Sequence, residues 1–275
     1  MSQFSYTKLF DLTGKVSVVT GGAGILGSHF CKALVEAGSK VAIVDVNHDA
    51  LRELEEEINS RWQNSCIAFT ADVTQPSEVR HVVDCTVEHF GSIDVLHNNA
   101  ASKGSNLDTY FDTFENYTLE QWREIMIANV DSMFLMAQAV GIQMKKQRRG
   151  GSIIQTASAY GIMAPDQRIY QGSWYMNRRI NTPAVYSTSK AAVVGLSRFL
   201  ATYWAQDNIR VNTLVPGGAE SGQNEEFKRR YGARVPLGRM AQPSEIVGAV
   251  LYLASDASRY VTGHSLVVDG GLNAW

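Results

Sequence analysis

Short runs of apolar, β-branched residues alternate along the chain with longer stretches in which apolar positions recur every three or four residues. The runs Lys15–Thr20, Val41–Val46, Cys66–Thr70, Ile93–His97, Ser152–Thr156, Ile209–Val215 and Ser265–Asp269 read as strands. The stretches Ile25–Ala37, Ala50–Arg61, Ser77–Phe90, Leu119–Lys146, Val185–Ala205 and Pro243–Ala254 read as helices. Strand–helix alternation closes right-handed crossovers, so it predicts an α/β fold with a mostly parallel, doubly wound sheet. Val41-Ala42-Ile43-Val44 has no polar position, as a strand buried on both faces requires. Seven strands use nearly all of the chain, so residues 1–275 are expected to form one domain, with residues 1–14 as a lead-in. A ligand is then expected beyond the carboxyl ends of the strands, where the strand order reverses.

Composition narrows the classes. A chain of 275 residues with 45% hydrophobic and 19% charged positions can bury a core without disulfides or a structural metal. A net charge of -2 gives no electrostatic footprint for nucleic acid or an anionic membrane, so neither is expected as a partner. The three cysteines, Cys31, Cys66 and Cys85, are odd in number and lack metal-ligand spacing. They read as reduced thiols of a cytoplasmic protein. The six histidines show no ligand spacing, so no catalytic metal is expected. Met1–Gly14 has no long apolar run or cleavage-like segment, and no stretch of about 18 apolar residues occurs, so neither a signal peptide nor a membrane span is expected.

The first strand runs into Thr20-Gly21-Gly22-Ala23-Gly24-Ile25-Leu26-Gly27 and then into a helix. Glycine permits a tight turn and close approach to a pyrophosphate, while the helix offers free N–H groups and the positive end of its dipole. Gly21, Gly24, Ile25, Leu26 and Gly27 are therefore candidates for binding a dinucleotide, although a plain strand–helix turn has the same spacing. Asp45 ends the second strand, 18 residues after Gly27. A carboxylate there accepts hydrogen bonds from a ribose 2′-hydroxyl and repels a 2′-phosphate. With no Lys or Arg among Gly21–Gly27 or Val46–His48, NAD(H) is expected over NADP(H); the alternative is that Asp45 ends the strand or caps the next helix. In Ala71-Asp72-Val73, Asp72 stands where the adenine amino group would lie, with Val73 beside it, and a turn cap fits Asp72 as well.

These residues, together with Asn98-Asn99-Ala100, Tyr186-Ser187-Thr188-Ser189-Lys190, Pro216-Gly217 and Val268-Asp269-Gly270-Gly271, resemble the short-chain dehydrogenase/reductase family in order and over essentially the full length. The resemblance implies a Rossmann-like seven-stranded parallel sheet, hydride transfer between nicotinamide and an alcohol or carbonyl, and a dimer or tetramer formed on the helices Leu119–Lys146 and Val185–Ala205. Two departures stand out: Ile25 replaces the middle glycine of the family's commoner TGxxxGxG pattern, and the usual NNAG reads Asn98-Asn99-Ala100-Ala101.

The resemblance assigns roles residue by residue. Tyr186 and Lys190, four apart on one helix face, are the family's acid/base pair, with Lys190 also holding the nicotinamide ribose. A nearby ammonium favours the phenolate, which lets a tyrosine work well below its usual pKa of about 10. Ser158 is the serine that donates a hydrogen bond to the substrate oxygen, and Asn129 is the helix asparagine of a water relay to the lysine. Asn99 and Ala100 line the cofactor site, and Pro216 and Gly217 frame the nicotinamide. Thr262 and Asp269–Gly271 read as structural.

Ser158 and Tyr186 are 28 residues apart, more than is usual for the family, so an insertion occupies residues 163–185. Its aromatics, amides and arginines suit a carbohydrate-like or anionic ligand, and a subunit contact is the alternative. Residues 217–235 form the family's substrate loop, here rich in Glu, Gln, Lys and Arg. The stretch Tyr160–Asp166 with the insertion is similar to bacterial surface-sugar (flagellin-modification) members, and the chain resembles the sugar-acid and polyol oxidoreductases of the family. A 3-oxoacyl carrier-protein reductase and a non-catalytic cofactor-binding scaffold are the competing readings.

Overall fold

The computed structural model describes residues 5–275; residues 1–4 of the lead-in lie outside the described residues. Seven strands form one sheet: β1 (Val16–Thr20), β2 (Lys40–Asp45), β3 (Cys66–Thr70), β4 (Val95–Asn98), β5 (Gly151–Thr156), β6 (Ile209–Pro216) and β7 (Ser265–Val268). Their order is β3-β2-β1-β4-β5-β6-β7, and every pairing is parallel. The helices are α1 (Ile25–Glu36), α2 (His48–Arg61), α3 (Pro76–Phe90), α4 (Leu119–Gln147), α5 (Ala184–Tyr203), α6 (Glu225–Gly232) and α7 (Val247–Ala254). The seven expected strands all form, with ends displaced by at most two residues.

The apolar strands are apolar because both sheet faces are covered. Val18, Ala42, Val44, Leu96 and Ile153 pack on one face against α3, α4 and α5. The alternate residues Val19, Val41, Ile43, Val95 and Ile154 pack on the other against α1, α2 and α7. Side chains of a strand alternate faces, so each strand feeds two cores at once. Leu119–Gln147 is long and apolar enough to cross a membrane by length and composition. Its apolarity has another cause here, since Met136, Ala137, Val140 and Met144 are buried against the sheet.

Three elements depart from the expected pattern. Within α4, residues Ile127–Asp131 form a π-helical turn. The segment Pro243–Ile246 begins α7 as a 3₁₀ turn behind a Gln242/Glu245 capping box. The polar segment 217–235 is not all loop: α6 forms inside it, capped by Asn224, because its apolar Phe227 and Tyr231 lie four apart on one face. The insertion holds a 3₁₀ turn, Gln167–Tyr170, and a two-rung hairpin pairing Trp174–Tyr175 with Arg178–Arg179.

The start of β1 is fixed by a carboxylate. Asp94, 6% exposed, accepts from the Val16 N–H at 3.0 Å, the Ser92 hydroxyl at 3.2 Å and the Arg149 guanidinium at 2.8 Å. Replacing it by alanine leaves the Val16 N–H buried and unpaired. We expect Asp94→Ala to lower unfolding stability by about 1–3 kcal/mol with an unchanged urea m-value. A loss below about 0.5 kcal/mol means that the carboxylate does not hold the strand.

Candidate active site

The strand order reverses between β1 and β4, and the carboxyl ends of these two strands are stitched together. Thr20 Oγ1 accepts from the N–H groups of Asn99 at 3.0 Å and Ala100 at 3.1 Å, while Asn99 Nδ2 donates to the Gly21 carbonyl at 3.2 Å. Gly21 has φ +62°, and a Cβ there would sit 2.8 Å from the Ala100 Cα. A Cβ on Gly27 would lie 2.0 Å from the Gly21 carbonyl oxygen, so α1 can approach the turn only through glycine. Gly24 has no such conflict, and it precedes α1 without a side-chain cap on the helix N–H groups. Those groups remain available to an anion.

A cleft of about 700 Å³ opens over these strand ends. Every residue expected to contact the cofactor lines it: Gly21, Gly24, Ile25, Leu26, Gly27, Asp45, Asp72, Val73, Asn99, Ala100, Tyr186, Lys190, Pro216 and Gly217. Asp45 does not cap α2; Asn47 does, by accepting from the Ala50 N–H. The Asp45 carboxylate accepts instead from the N–H groups of Ala23 and Asn47, both at 3.1 Å, which holds it beside the glycine turn. Asp72 lines the cleft, and its carboxylate accepts from the Thr74 N–H and hydroxyl, which is the turn cap expected of it. Ala101 takes no positive φ, which is why its methyl is tolerated.

Ser158, Tyr186 and Lys190 line the opposite half of the cleft. Ser158 lies at the end of β5, where its Oγ accepts from the Tyr160 N–H at 3.2 Å and shares a hydrogen bond with the Tyr186 phenol. Burial pushes the phenol above its ordinary value, and the Ser158 hydrogen bond pulls the other way. The expected lowering by Lys190 does not appear; its ammonium donates to the Thr156 carbonyl at 3.1 Å. Burial alone pulls Lys190 down to about 8.

Asn129 sits in the π turn and is fully buried, outside the cleft lining. Its Oδ1 accepts from the Ser102 N–H at 2.8 Å, and its Nδ2 donates to Ser189 Oγ at 3.4 Å. Ser189 donates in turn to the Tyr186 carbonyl. The residue thus ties the loop after β4 to the helix that carries Tyr186 and Lys190. Thr262 and Asp269 are structural, accepting from the Val211 N–H and from the Gly271 and Asn273 N–H groups.

The substrate side is made by the two variable segments. From the insertion come Tyr170, Tyr175, Ile180, Asn181, Thr182 and Pro183; from the second segment come Ser221, Gln223, Phe227 and Tyr231. None of the insertion's arginines lines the cleft. Arg168 pairs with Asp166, Arg178 with Asp108, and Arg179 lies over Trp174. Likewise Lys228, Arg229 and Arg230 are paired with Glu220, Glu225 and Glu226 on the outer face of α6. The charge visible in the sequence is turned to solvent, and the inner face is aromatic. Lys103, Tyr110 and Phe111 also line the cleft and carried no recognisable spacing, because loop geometry alone brings them in. Among the described residues no cluster of His, Cys, Asp and Glu could hold a metal.

A dinucleotide-type cleft joined to a Ser, Tyr and Lys set defines an oxidoreductase that uses a nucleotide cofactor. A protein-family model described as enoyl-(acyl carrier protein) reductase matches residues 21–273. D-Arabinitol 2-dehydrogenase (ribulose-forming) of Candida tropicalis is 32% identical over 297 aligned positions, covering 100% of this chain and 99% of that protein. A short-chain dehydrogenase from Leptospira borgpetersenii serovar Hardjo-bovis with bound NAD+ superposes with a TM-score of 0.82 at 28% identity, covering 99% of this chain and 97% of that one. A gluconate 5-dehydrogenase from Burkholderia cenocepacia J2315 in complex with NADP and tartrate gives 0.83 at 28% identity, covering 98% and 100%. The chain belongs to the short-chain dehydrogenase/reductase family.

Lys190 is 3% exposed and is held in the core at a cost. Its folded pKa of about 8 lies below the ordinary 10.5, so the unfolded chain binds more protons between these values and stability rises with pH across that window. Below about 8 the full penalty applies, on the order of 3 kcal/mol. We expect Lys190→Met to raise the melting temperature at pH 7 while abolishing turnover, with the stability gain shrinking as pH climbs towards 10.5. A variant less stable than the wild type at pH 7 contradicts the burial penalty.

Proposed function

We propose that this protein is an NAD(H)-dependent oxidoreductase that transfers a hydride between nicotinamide and an alcohol or carbonyl of a sugar, sugar acid or polyol. The observation that carries the reading is the convergence of Ser158, Tyr186 and Lys190 on the cleft that the glycine turn opens into. Asp45, fixed by two backbone N–H groups with no Lys or Arg in the adjoining lining, favours a free ribose 2′-hydroxyl over a 2′-phosphate. The relatives divide on this point, one holding NAD+ and another NADP, so the preference rests on Asp45. The substrate class rests on relatives that act on D-arabinitol and on gluconate. It is supported by six tyrosines in the lining, whose hydroxyls both donate and accept while their faces cover sugar C–H groups.

Bound NAD(H) supplies the hydride donor or acceptor. Ser158 donates a hydrogen bond to the substrate oxygen as charge develops there. Tyr186, its phenol protonated at neutral pH, gives a proton to a carbonyl oxygen in reduction and takes it back in oxidation. Lys190 would hold the nicotinamide ribose hydroxyls of bound NAD(H); in this structure its ammonium donates to the Thr156 carbonyl. Asn129 positions this pair through Ser189 rather than touching substrate.

One observation favours a 3-oxoacyl carrier-protein reductase: the inner face of α6 carries Phe227 and Tyr231, which also suit an acyl chain. The tyrosine-rich lining and the named relatives still favour the sugar reading. We further propose a cytoplasmic homo-oligomer, dimer or tetramer, built on α4 and α5, which leave Phe134, Ile142, Phe199 and Tyr203 exposed.

NADH formation across polyols, sugar acids and sugar phosphates, with acetoacetyl thioesters alongside, tests the reading. We expect turnover on a sugar class and a loss of about 10²–10⁴-fold in Tyr186→Phe with NADH binding retained. Full activity in that variant, or acyl thioesters outpacing every sugar, overturns it. For the cofactor, NADH should bind more tightly than NADPH, and Asp45→Ser should narrow the gap by about ten-fold or more. Tighter NADPH binding by the wild type removes the NAD assignment.

A further inference from the structure

Positive charge around the rim of the cleft is neutralised nearly everywhere. Arg178 pairs with Asp108, Arg168 and Arg234 with Asp166, and Lys228, Arg229 and Arg230 with the glutamates of their own segment. Lys103 is different. It lines the cleft together with Ser158 and Tyr186, and among the described residues it enters no ion pair. The only carboxylates in the lining, Asp45 and Asp72, follow β2 and β3 at the far end, past the glycine turn. The other lysine in the lining, Lys190, is committed to the Thr156 carbonyl.

The position of Lys103 is built. Its ammonium rests 4.2 Å from the centroid of the Tyr175 ring, on the insertion hairpin. Its backbone is fixed on both sides: Asn129 Oδ1 accepts from the Ser102 N–H, Ser102 Oγ from the Gly104 N–H, and Glu124 Oε1 from the Ser105 N–H. A ring face orients an ammonium without neutralising it. When a substrate displaces water from this half of the cleft, a neutral polyol leaves that charge without a counter-ion, whereas an anionic substrate pairs with it.

We propose that Lys103 recognises a carboxylate of the substrate, so that the cleft selects a sugar acid over the corresponding neutral polyol. The proposal rests on the sugar reading above and narrows it. An ammonium on a flexible stem acts as a point charge, so it accommodates sugar acids of different length by swinging against the Tyr175 face.

The test is calorimetric titration of the enzyme, saturated with NADH, with D-gluconate, D-glucitol and D-glucose 6-phosphate, for the wild type, Lys103→Met and Lys103→Arg. We expect gluconate to bind at least about ten-fold more tightly than glucitol in the wild type. The ratio should fall towards one in Lys103→Met, return in Lys103→Arg and shrink in high salt. Equal affinities in the wild type, a preference that survives in Lys103→Met, or no binding of gluconate overturns the assignment. Tighter binding of glucose 6-phosphate than of gluconate makes the recognised anion a phosphate and overturns the carboxylate. Glucitol oxidation without an anion preference sinks the Lys103 assignment alone and leaves hydride transfer on sugars standing. Gluconate binding that depends on Lys103 without turnover on any sugar does the reverse.

Discussion

The site depends on one topological constraint: β1 is flanked by β2 on one side and by β4 on the other, so the chain leaves the middle of the sheet in both directions. The connections that leave the carboxyl ends of β1 and β4 therefore diverge, and no element covers the gap between them. Thr20 keeps that gap to a fixed width by accepting two N–H groups from the opposite strand end. The glycine turn then fits only because Gly21 and Gly27 have no side chains. The cleft, the N-terminus of α1 and the helix that carries Tyr186 and Lys190 all border this reversal.

The chemical half of the site is held in a state that folding alone does not favour. Lys190 and the Tyr186 phenol are both moved from their ordinary values by burial, the amine down and the phenol up. Each shift favours the neutral form. The surroundings compensate with order rather than with counter-charge. Asn129, Ser189 and the π turn fix α5 against the loop after β4, which keeps the pair in place without a neighbouring carboxylate.

The substrate half is assembled differently, from two segments tied to each other. Asp166 of the insertion is held by Arg168 and by Arg234 beyond α6, and Tyr170 packs against Phe227 at 5.3 Å between centroids. These contacts leave the charged side chains outside and the rings inside. A segment that looks polar in sequence thus presents an aromatic wall, since a helix or hairpin sorts its side chains by face and composition averages over both. Lys103 is the exception that remains open to the cleft, held only by a ring.

Strand and helix periodicity, the glycine spacing and the order of motifs were enough to give the seven-stranded sheet and residues that line the cleft, Ser158, Tyr186 and Lys190 among them. These features are local, or they repeat a spacing that backbone geometry imposes. The 3₁₀ turn at Pro243–Ile246, the π turn around Asn129 and the helix within 217–235 were not legible, because capping and packing decide them. Nor was the fate of the arginines: only the fold brings Asp108 and Asp166 to them. Sequence by itself determined the architecture and which residues gather at the strand ends, since both follow from short-range periodicity and from residues within one turn or helix face. Tertiary structure alone decided which charges are neutralised and which face the substrate, because pairing over tens of residues depends on how loops pack.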